Sequence, residues 1–189
     1  MNKTIIIIVF LILFPIVKYA IDLDVGIFYG PRTVNDPDIK NTYGNGTVYF
    51  PYLVVNIGKG ITIGGGYEGG YSKVSGIGLY NEPSMLKVTG IDFFIGYQLN
   101  IKKISPYIKI GYGAFFYKQT VESPYVEDYK VDHKKATMTI AGGFKFYPVK
   151  YLFIGGEIKF VPLKVKPYVE EVDLGGIRYL GGVGFTFNL

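Results

Sequence analysis

The sequence predicts an all-β fold, an eight-stranded antiparallel up-and-down transmembrane β-barrel with short turns at one end and four longer surface loops at the other. Three observations carry the prediction. After residue 20, apolar and polar side chains alternate with a period of two in about eight segments. The connections between the segments are alternately short and long, the pattern of a barrel that crosses a membrane in hairpins. One face of most segments is continuously apolar, while charges sit in the middle of the other.

The 189 residues suffice for one domain and hardly two. Met1-Asn2-Lys3 is a short positive start, and TIIIIVFLILFPIV (4–17) is an apolar core broken by Pro15. That core is shorter than the roughly 20 residues a helical span needs and has the size of a secretory signal. Residues 1–20 therefore read as a signal peptide cleaved after Ala20, and 21–189 as the barrel domain. An uncleaved N-terminal anchor is the alternative, because Lys18 stands where a signal prefers a small residue.

The strands follow in order. The first, 22–30, carries Asp24 at mid-strand. The second, 47–57, is TVYFPYLVVNI, apolar on both faces, so its direction is not set by pattern. The third, 60–72, is glycine-rich, with Gly64, Gly66 and Glu68 on one face. The fourth, 87–100, sets Ile91, Phe93, Ile95, Tyr97 and Leu99 against Asp92, Gly96 and Gln98. The fifth, 105–118, sets Ile108, Ile110, Tyr112 and Phe116 against Lys109, Gly111, Gly113 and Tyr117. The sixth, 134–147, opposes Met138, Ile140, Phe144 and Phe146 to Thr137, Thr139 and Lys145. The seventh, 150–161, opposes Leu152, Ile154, Ile158 and Phe160 to Glu157 and Lys159. The eighth, 175–189, opposes Ile177, Tyr179, Val183, Phe185, Phe187 and Leu189 to Arg178, Thr186 and Asn188. The short connections are 56–60, 100–105 and 147–150; the long ones are 31–46, 73–86, 119–133 and 162–174 and hold most of the Pro, Asn and Asp. Both termini then lie on the short-turn side, the periplasm.

The polar faces carry Asp24, Glu68, Asp92, Lys109, Lys145, Glu157, Lys159 and Arg178, acids and bases in balance. Isolated buried charges cost several kcal/mol each, but a balanced set pairs inside a barrel whose interior side chains just fill. Gly64, Gly66, Gly111, Gly113 and Gly184 leave room there for long charged chains. The polar face is therefore the lumen and the apolar face meets lipid. The reverse assignment is a soluble, secreted, lipocalin-like barrel. Replacing Arg178 is expected to strand an acid that the sequence does not identify. Lipid offers no water to an open sheet edge, so the last strand must pair with the first, and the chain ends in a strand, GVGFTFNL. Tyr29, Tyr71, Tyr97, Tyr117, Tyr147, Tyr151, Phe185 and Phe187, near strand ends, are expected to form aromatic girdles.

The mature chain resembles the small outer-membrane β-barrels of Gram-negative-type bacteria, the OmpA-type and OmpX-type barrels. GGFKFYPVKYLFIGGEIKF (142–160) is similar to a hairpin of that family, and PYIKIGYGAFFY (106–117) to another of its strands. GVGFTFNL resembles its C-terminal assembly signal, with Gly184, Phe185, Phe187 and Leu189 in place, although the family usually ends in Phe and has a polar residue where Gly182 stands. The resemblance implies residence in the cell outer membrane, contact with its lipids and recognition by the barrel-assembly machinery.

The same superfamily includes lipid-modifying enzymes and surface proteases. The lone His133 is followed by two lysines, with Glu122 and Ser123 in the same expected loop, and this spacing does not build a triad. Loop acids Asp36, Asp38, Glu127, Asp128, Asp132, Glu170, Glu171 and Asp173 follow no calcium-loop spacing. GITIGGGYEGG precedes no helix and is not a phosphate loop. With no Cys, disulfides, thiolate metal sites and N-terminal Cys lipidation are excluded. The net charge of +5 is scattered and makes no nucleic-acid stripe. No catalytic residue, cofactor or metal is predicted. Lysines in the short turns, Lys59, Lys102, Lys103 and Lys150, suit either solubility or inner-leaflet head groups. The expected function is a structural or adhesion-like role carried by surface loops, whose Tyr43, Tyr80, Tyr125, Tyr129 and Tyr168 suit a protein partner. A small porin with narrow or transient conduction is the alternative; a loop-sited lipid-modifying enzyme fits the inventory less well.

Overall fold

The computed structural model describes residues 21–189 except 59, 79, 123–128 and 167–170, and the side chain of Tyr129. Among the described residues, ten strands and one helix follow in order: β1 (Ile21–Arg32), α1 (Pro37–Tyr43), β2 (Gly46–Ile57), β3 (Ile61–Ile77), β4 (Glu82–Gln98), β5 (Ile104–Val121), β6 (Tyr129–Val149), β7 (Leu152–Val161), β8 (Lys164–Val165), β9 (Val172–Asp173) and β10 (Gly176–Asn188). β8 and β9 form a small separate hairpin, while the other eight strands close a barrel in the order β1-β10-β7-β6-β5-β4-β3-β2. Val25 illustrates the closure, lying opposite Leu53 on β2 and Phe185 on β10.

Alternation sorts the side chains cleanly. Ile95, Ile110, Ile140, Ile158 and Val183 are about half exposed on the outside. Phe28, Phe50, Phe115 and Phe153 are buried in the lumen with the charged set. The direction of β2 is now fixed: Val48, Phe50, Tyr52 and Val54 point inward, and Tyr49 and Leu53 outward. The lumen is thus as aromatic as it is ionic. Its glycines make room mainly for rings: a Cβ on Gly64, Gly66 or Gly184 would fall 2.9, 2.5 or 2.2 Å from a ring carbon of Phe94, Phe50 or Phe153.

Three expectations need correction. Tyr71 and Tyr117 are buried inward, and Tyr147 packs partly buried against the core, 5.8 Å from the Phe153 ring. They belong to the lumen and not to a girdle, because an inward register position outweighs nearness to a strand end. Tyr29, Tyr97, Tyr151, Phe185 and Phe187 do face outward. Residues 73–77, 82–86, 119–121 and 129–133, read as loop, are strand. There the wall stands above the lipid, so its outward residues are mixed and the alternation fades. Residues 37–43, also read as loop, form α1. The Asp36 side chain caps it by accepting from the amides of Asp38 and Ile39, at 3.0 and 3.1 Å, Pro37 opens it and Gly44 ends it at φ 74°. One helix of seven residues is too short to show a 3.6-residue period.

The Gly69–Gly70 pair of the glycine-rich stretch marks a register shift between Glu68 and Tyr71, and Gly70, at φ 97°, needs glycine for its backbone. Gly66 needs it for space: the added Cβ also lies 2.8 Å from the Pro51 carbonyl. Gly66→Val is expected to cost at least about 1–3 kcal/mol through overpacking, read from guanidinium unfolding in phospholipid vesicles. A variant as stable as the parent would show that this wall has slack.

Candidate functional site: the lumenal charge network

Even-numbered positions of β1 point inward, so Asp24 and Arg32 lie at its two ends, and the inward positions of β3 to β7 and β10 add the remaining charges. At the periplasmic end, Lys145 pairs with Asp24 and donates to Gln98 Oε1 at 3.0 Å. Thr186 donates to the other oxygen of Asp24 at 2.6 Å. In the middle layer, Lys109 Nζ lies 2.6 Å from Glu157 Oε2, which also accepts from the Tyr107 hydroxyl at 2.8 Å. The same ammonium sits 4.2 Å from the Phe94 ring centre.

The outer layer is a hub. Lys159 Nζ lies 3.0 Å from Asp92 and 3.3 Å from Glu68. Arg178 donates through Nε and Nη2 to Glu68 Oε1, at 3.2 and 3.1 Å, and through Nη1 to the Gly176 carbonyl at 2.8 Å. Thr139 donates to Asp92 at 3.0 Å. Thus all eight residues of the sequence-derived set are buried in the lumen and take part in ion pairs.

Arg32 is a ninth member, not visible in the sequence because Gly-Pro-Arg reads as the start of a loop. Continuing the inward positions 24, 26, 28 and 30 by one step would have found it. It is fully buried, stacks 4.5 Å from the Tyr71 ring centre and reaches within 3.9 Å of Glu68. Its Nη2 donates to the Leu174 carbonyl at 2.6 Å, which ties the lumen to the outer cap. That cap is made where the segment after β1 runs along the segment before β10: the amides of Thr33, Asn35 and Asp36 donate to the carbonyls of Ile177, Gly175 and Asp173. Val34, Tyr43, Leu163 and Leu174 are buried beneath it.

The lumen is filled. A void of about 20 Å³ near Val54, Phe94 and Lys145 has room for about one water. Below it, a polar vestibule of about 180 Å³, with Asp22, Asn56, Asn100 and Asn188 in its wall, opens to the periplasm.

His133 is exposed on β6 opposite Tyr117, whereas Glu122 lies beyond the last β5 rung, Val121 opposite Tyr129. The structure therefore does not bring them together; Ser123 lies outside the described residues. Of the loop acids, Asp36 caps α1 and Asp173 accepts from the Gly175 amide at 2.8 Å. Glu171 forms an exposed ion pair with Lys164 at 3.2 Å, and Asp38 and Asp132 are exposed. Glu127, Asp128 and Glu170 lie outside the described residues. At the C-terminus, Gly184 faces the lumen against Phe153, while Phe185, Phe187 and Leu189 face outward. The Leu189 amide donates to the Ile21 carbonyl at 2.9 Å.

The acid beside Arg178 is Glu68, which keeps Lys159 when Arg178 is removed. Removing Glu68 leaves Lys159 with Asp92 and takes from Arg32 and Arg178 the carboxylate that each reaches. Glu68→Leu is therefore expected to cost about 3–5 kcal/mol, more than Arg178→Leu, by guanidinium unfolding in vesicles. Equal losses would mean that Glu68 is not the hub.

No family model matches this chain, and neither does any curated protein. Solved structures do match. OprG, an outer membrane protein of Pseudomonas aeruginosa, aligns at TM-score 0.63 and 10% identity, over 91% of this chain and 98% of its own. Ail, the attachment invasion locus protein of Yersinia pestis, in complex with the heparin analogue sucrose octasulfate, aligns at 0.60 and 13%, over 90% and 100%. Neisserial surface protein A aligns at 0.53 and 8%, over 88% and 97%. This chain has the fold of the small eight-stranded outer-membrane β-barrels, and its apolar exterior belongs in that membrane.

Proposed function

We propose that this protein is a non-enzymatic outer-membrane barrel with an adhesion-like surface role, carried by the sheet that β3, β4, β5 and β6 raise above the membrane. The observation that supports this reading is the uneven height of the wall. β6 pairs with β7 only from Ile140 onward, yet continues beside β5 up to Tyr129 opposite Val121. Among the described residues, no strand pairs with the other edge of β6 above Ile140. An unpaired edge offers backbone donors and acceptors to an extended segment of another protein. The role passes from loop tyrosines to strand, because Tyr43 is buried under the cap, bonded to Ser84 at 2.6 Å. Tyr80 remains exposed; Tyr125, Tyr168 and the side chain of Tyr129 lie outside the described residues. That a fold neighbour is an attachment invasion locus protein fits this reading.

The porin reading is disfavoured by the filled lumen and the cap; resolved current steps in planar bilayers would revive it. Replacing Tyr117–His133, which are opposite each other, with a two-residue Asn-Gly turn is expected to abolish attachment of expressing cells to host-cell monolayers while the barrel still shifts on boiling in gels. Attachment that survives the shortening would remove the sheet from the role.

Residues 1–20 are proposed to be a cleaved signal, so the outer-membrane form should begin at Ile21 by N-terminal sequencing. Gly184, Phe185, Phe187 and Leu189 are proposed to be read by the barrel-assembly machinery. Deleting 182–189 is expected to remove the heat-shifting band from the outer-membrane fraction. A band that persists would assign these residues no part in assembly.

A further inference from the structure

We propose that the free edge of β6, from Lys130 to Ala136, captures an extended acidic segment of a protein partner by strand pairing, and reads it through Lys130, Asp132, Lys134 and Lys135. The proposal rests on the attachment reading and names the chemistry that this wall accepts.

The edge has the length of one strand. β7 stops pairing with β6 at Ile140, and the Thr137 hydroxyl donates to the Pro162 carbonyl at 2.6 Å. Beyond that point, among the described residues, no strand pairs with β6 on this side. Lys130 to Ala136 remain, which at about 3.3 Å per residue is roughly 20 Å, the length of an ordinary strand. Such an edge offers a row of unpaired amides and carbonyls. Backbone pairing supplies affinity there, and alternate side chains supply specificity.

The side chains along the edge are charged in a definite order. Lys130, Asp132 and Lys134 stand on the outward face, and Val131, His133 and Lys135 on the inward face. Val131 is buried in the core beneath the cap, and the others are exposed. Three lysines against one acid make the edge basic. Asp132 lies opposite Lys118 on β5, and no ion pair joins them among the described residues. Lys134 rests 5.4 Å from the Phe116 ring centre and stays exposed. The wall itself therefore leaves these charges accessible to a ligand.

Lysines alone would protect the edge from chance pairing. Asp132 between Lys130 and Lys134 adds nothing to that protection. It alternates the sign, and a partner strand can match an alternation, because opposite charges directly across a strand pair attract and like charges repel. The other upper edge of the wall, β3 beyond Gly69, provides the contrast. From Tyr71 to Ile77 it carries Lys73 and no acid, and the Tyr71 hydroxyl is already bonded to the Gly44 carbonyl at 3.0 Å. The alternation is thus particular to β6 and not a habit of every raised strand.

Antiparallel pairing continues the order of the wall and is the more stable arrangement. A partner that satisfies each position then places acids opposite Lys135, Lys134 and Lys130, a base opposite Asp132 and an apolar residue opposite Val131. Read from its N-terminus, such a strand is Glu-Glu-Thr-Lys-Val-Glu. Basic strands and apolar strands are turned away by the same charges.

The test uses the refolded full barrel in phosphatidylcholine nanodiscs and this peptide, fluorescently labelled and read by anisotropy. The parent is expected to bind it saturably, and on the order of tenfold more tightly than the scrambled peptide Glu-Lys-Glu-Val-Thr-Glu, since each mismatched pair turns attraction into repulsion. Two N-methylated versions, blocked at odd or at even amides, are expected to differ. An edge engages every second amide of its partner, so one version binds and the other does not. Lys130→Glu/Lys134→Glu is expected to lose the peptide and to bind Glu-Lys-Thr-Lys-Val-Lys instead, which also shows that the variant is folded. Three results would overturn the proposal: no binding in the parent, equal binding of both N-methylated versions, or equal binding of the scrambled peptide. The last would reduce the edge to a basic patch open to any polyanion, a sulfated glycan included. Attachment lost on shortening the hairpin, with no peptide bound by the parent, retires this proposal alone. Peptide bound by the parent, with attachment intact after shortening, retires the attachment reading alone.

Discussion

A strand in hydrocarbon has nowhere to put an unpaired backbone amide, and this constraint organises the molecule. It requires that β1, already paired with β2, also pair with β10. It therefore places the chain end inside the sheet, with Leu189 bonded to Ile21. Outside the hydrocarbon the rule relaxes. There β6 rises past its β7 neighbour, α1 interrupts the β1–β2 connection and the small β8–β9 hairpin sits between β7 and β10. The closed part and the irregular part are two consequences of a single change of solvent along the barrel axis.

Closure at eight strands leaves an interior with room for side chains and little else. Two ways of filling it coexist. Rings from Phe28, Phe50, Tyr52, Phe94 and Phe153 pack where facing strands carry glycine. Charges fill the rest as pairs, and the two systems meet at Lys109, bound to Glu157 and set against the Phe94 ring. Glu68 matters more than the other acids because three cations converge on it. Through Arg32 and the Leu174 carbonyl it also reaches the cap, so the chemistry that closes the lumen also orders the surface.

Legibility in the sequence follows the solvent in the same way. Within the hydrocarbon, lipid and lumen impose opposite demands on alternate residues, and strands such as 150–161 can be read from YLFIGGEIKF alone. β2 defeats the reading because both of its faces are apolar, one for lipid and one for the aromatic part of the lumen. Above the membrane both faces meet water, the period disappears, and Lys130 to His133 look like loop although they are strand. The candidate network was legible as a set of inward charges but not as partners: that Glu68 meets Arg178 depends on side-chain reach across the lumen, which no strand-by-strand pattern contains. Arg32 was hidden by a proline that, in a barrel strand, merely occupies an outward position.

The outward face raises a separate problem, because lipid should select against charge there and on five of the eight barrel strands it has none. On β4, β5 and β6 the lysines come in just where the apolar residues stop. Solubility does not explain the position, since loops above could carry the same charge without opposing Lys87 to Lys118. Negative design against edge pairing explains lysines on β6, an edge above the membrane, but not those on β4 and β5, which are paired on both sides. These three strands belong with β3 to the tall part of the wall and share one apolar hollowed face. The row of lysines therefore marks, on the outward face, the same change of solvent along the barrel axis that ends the alternation in the sequence.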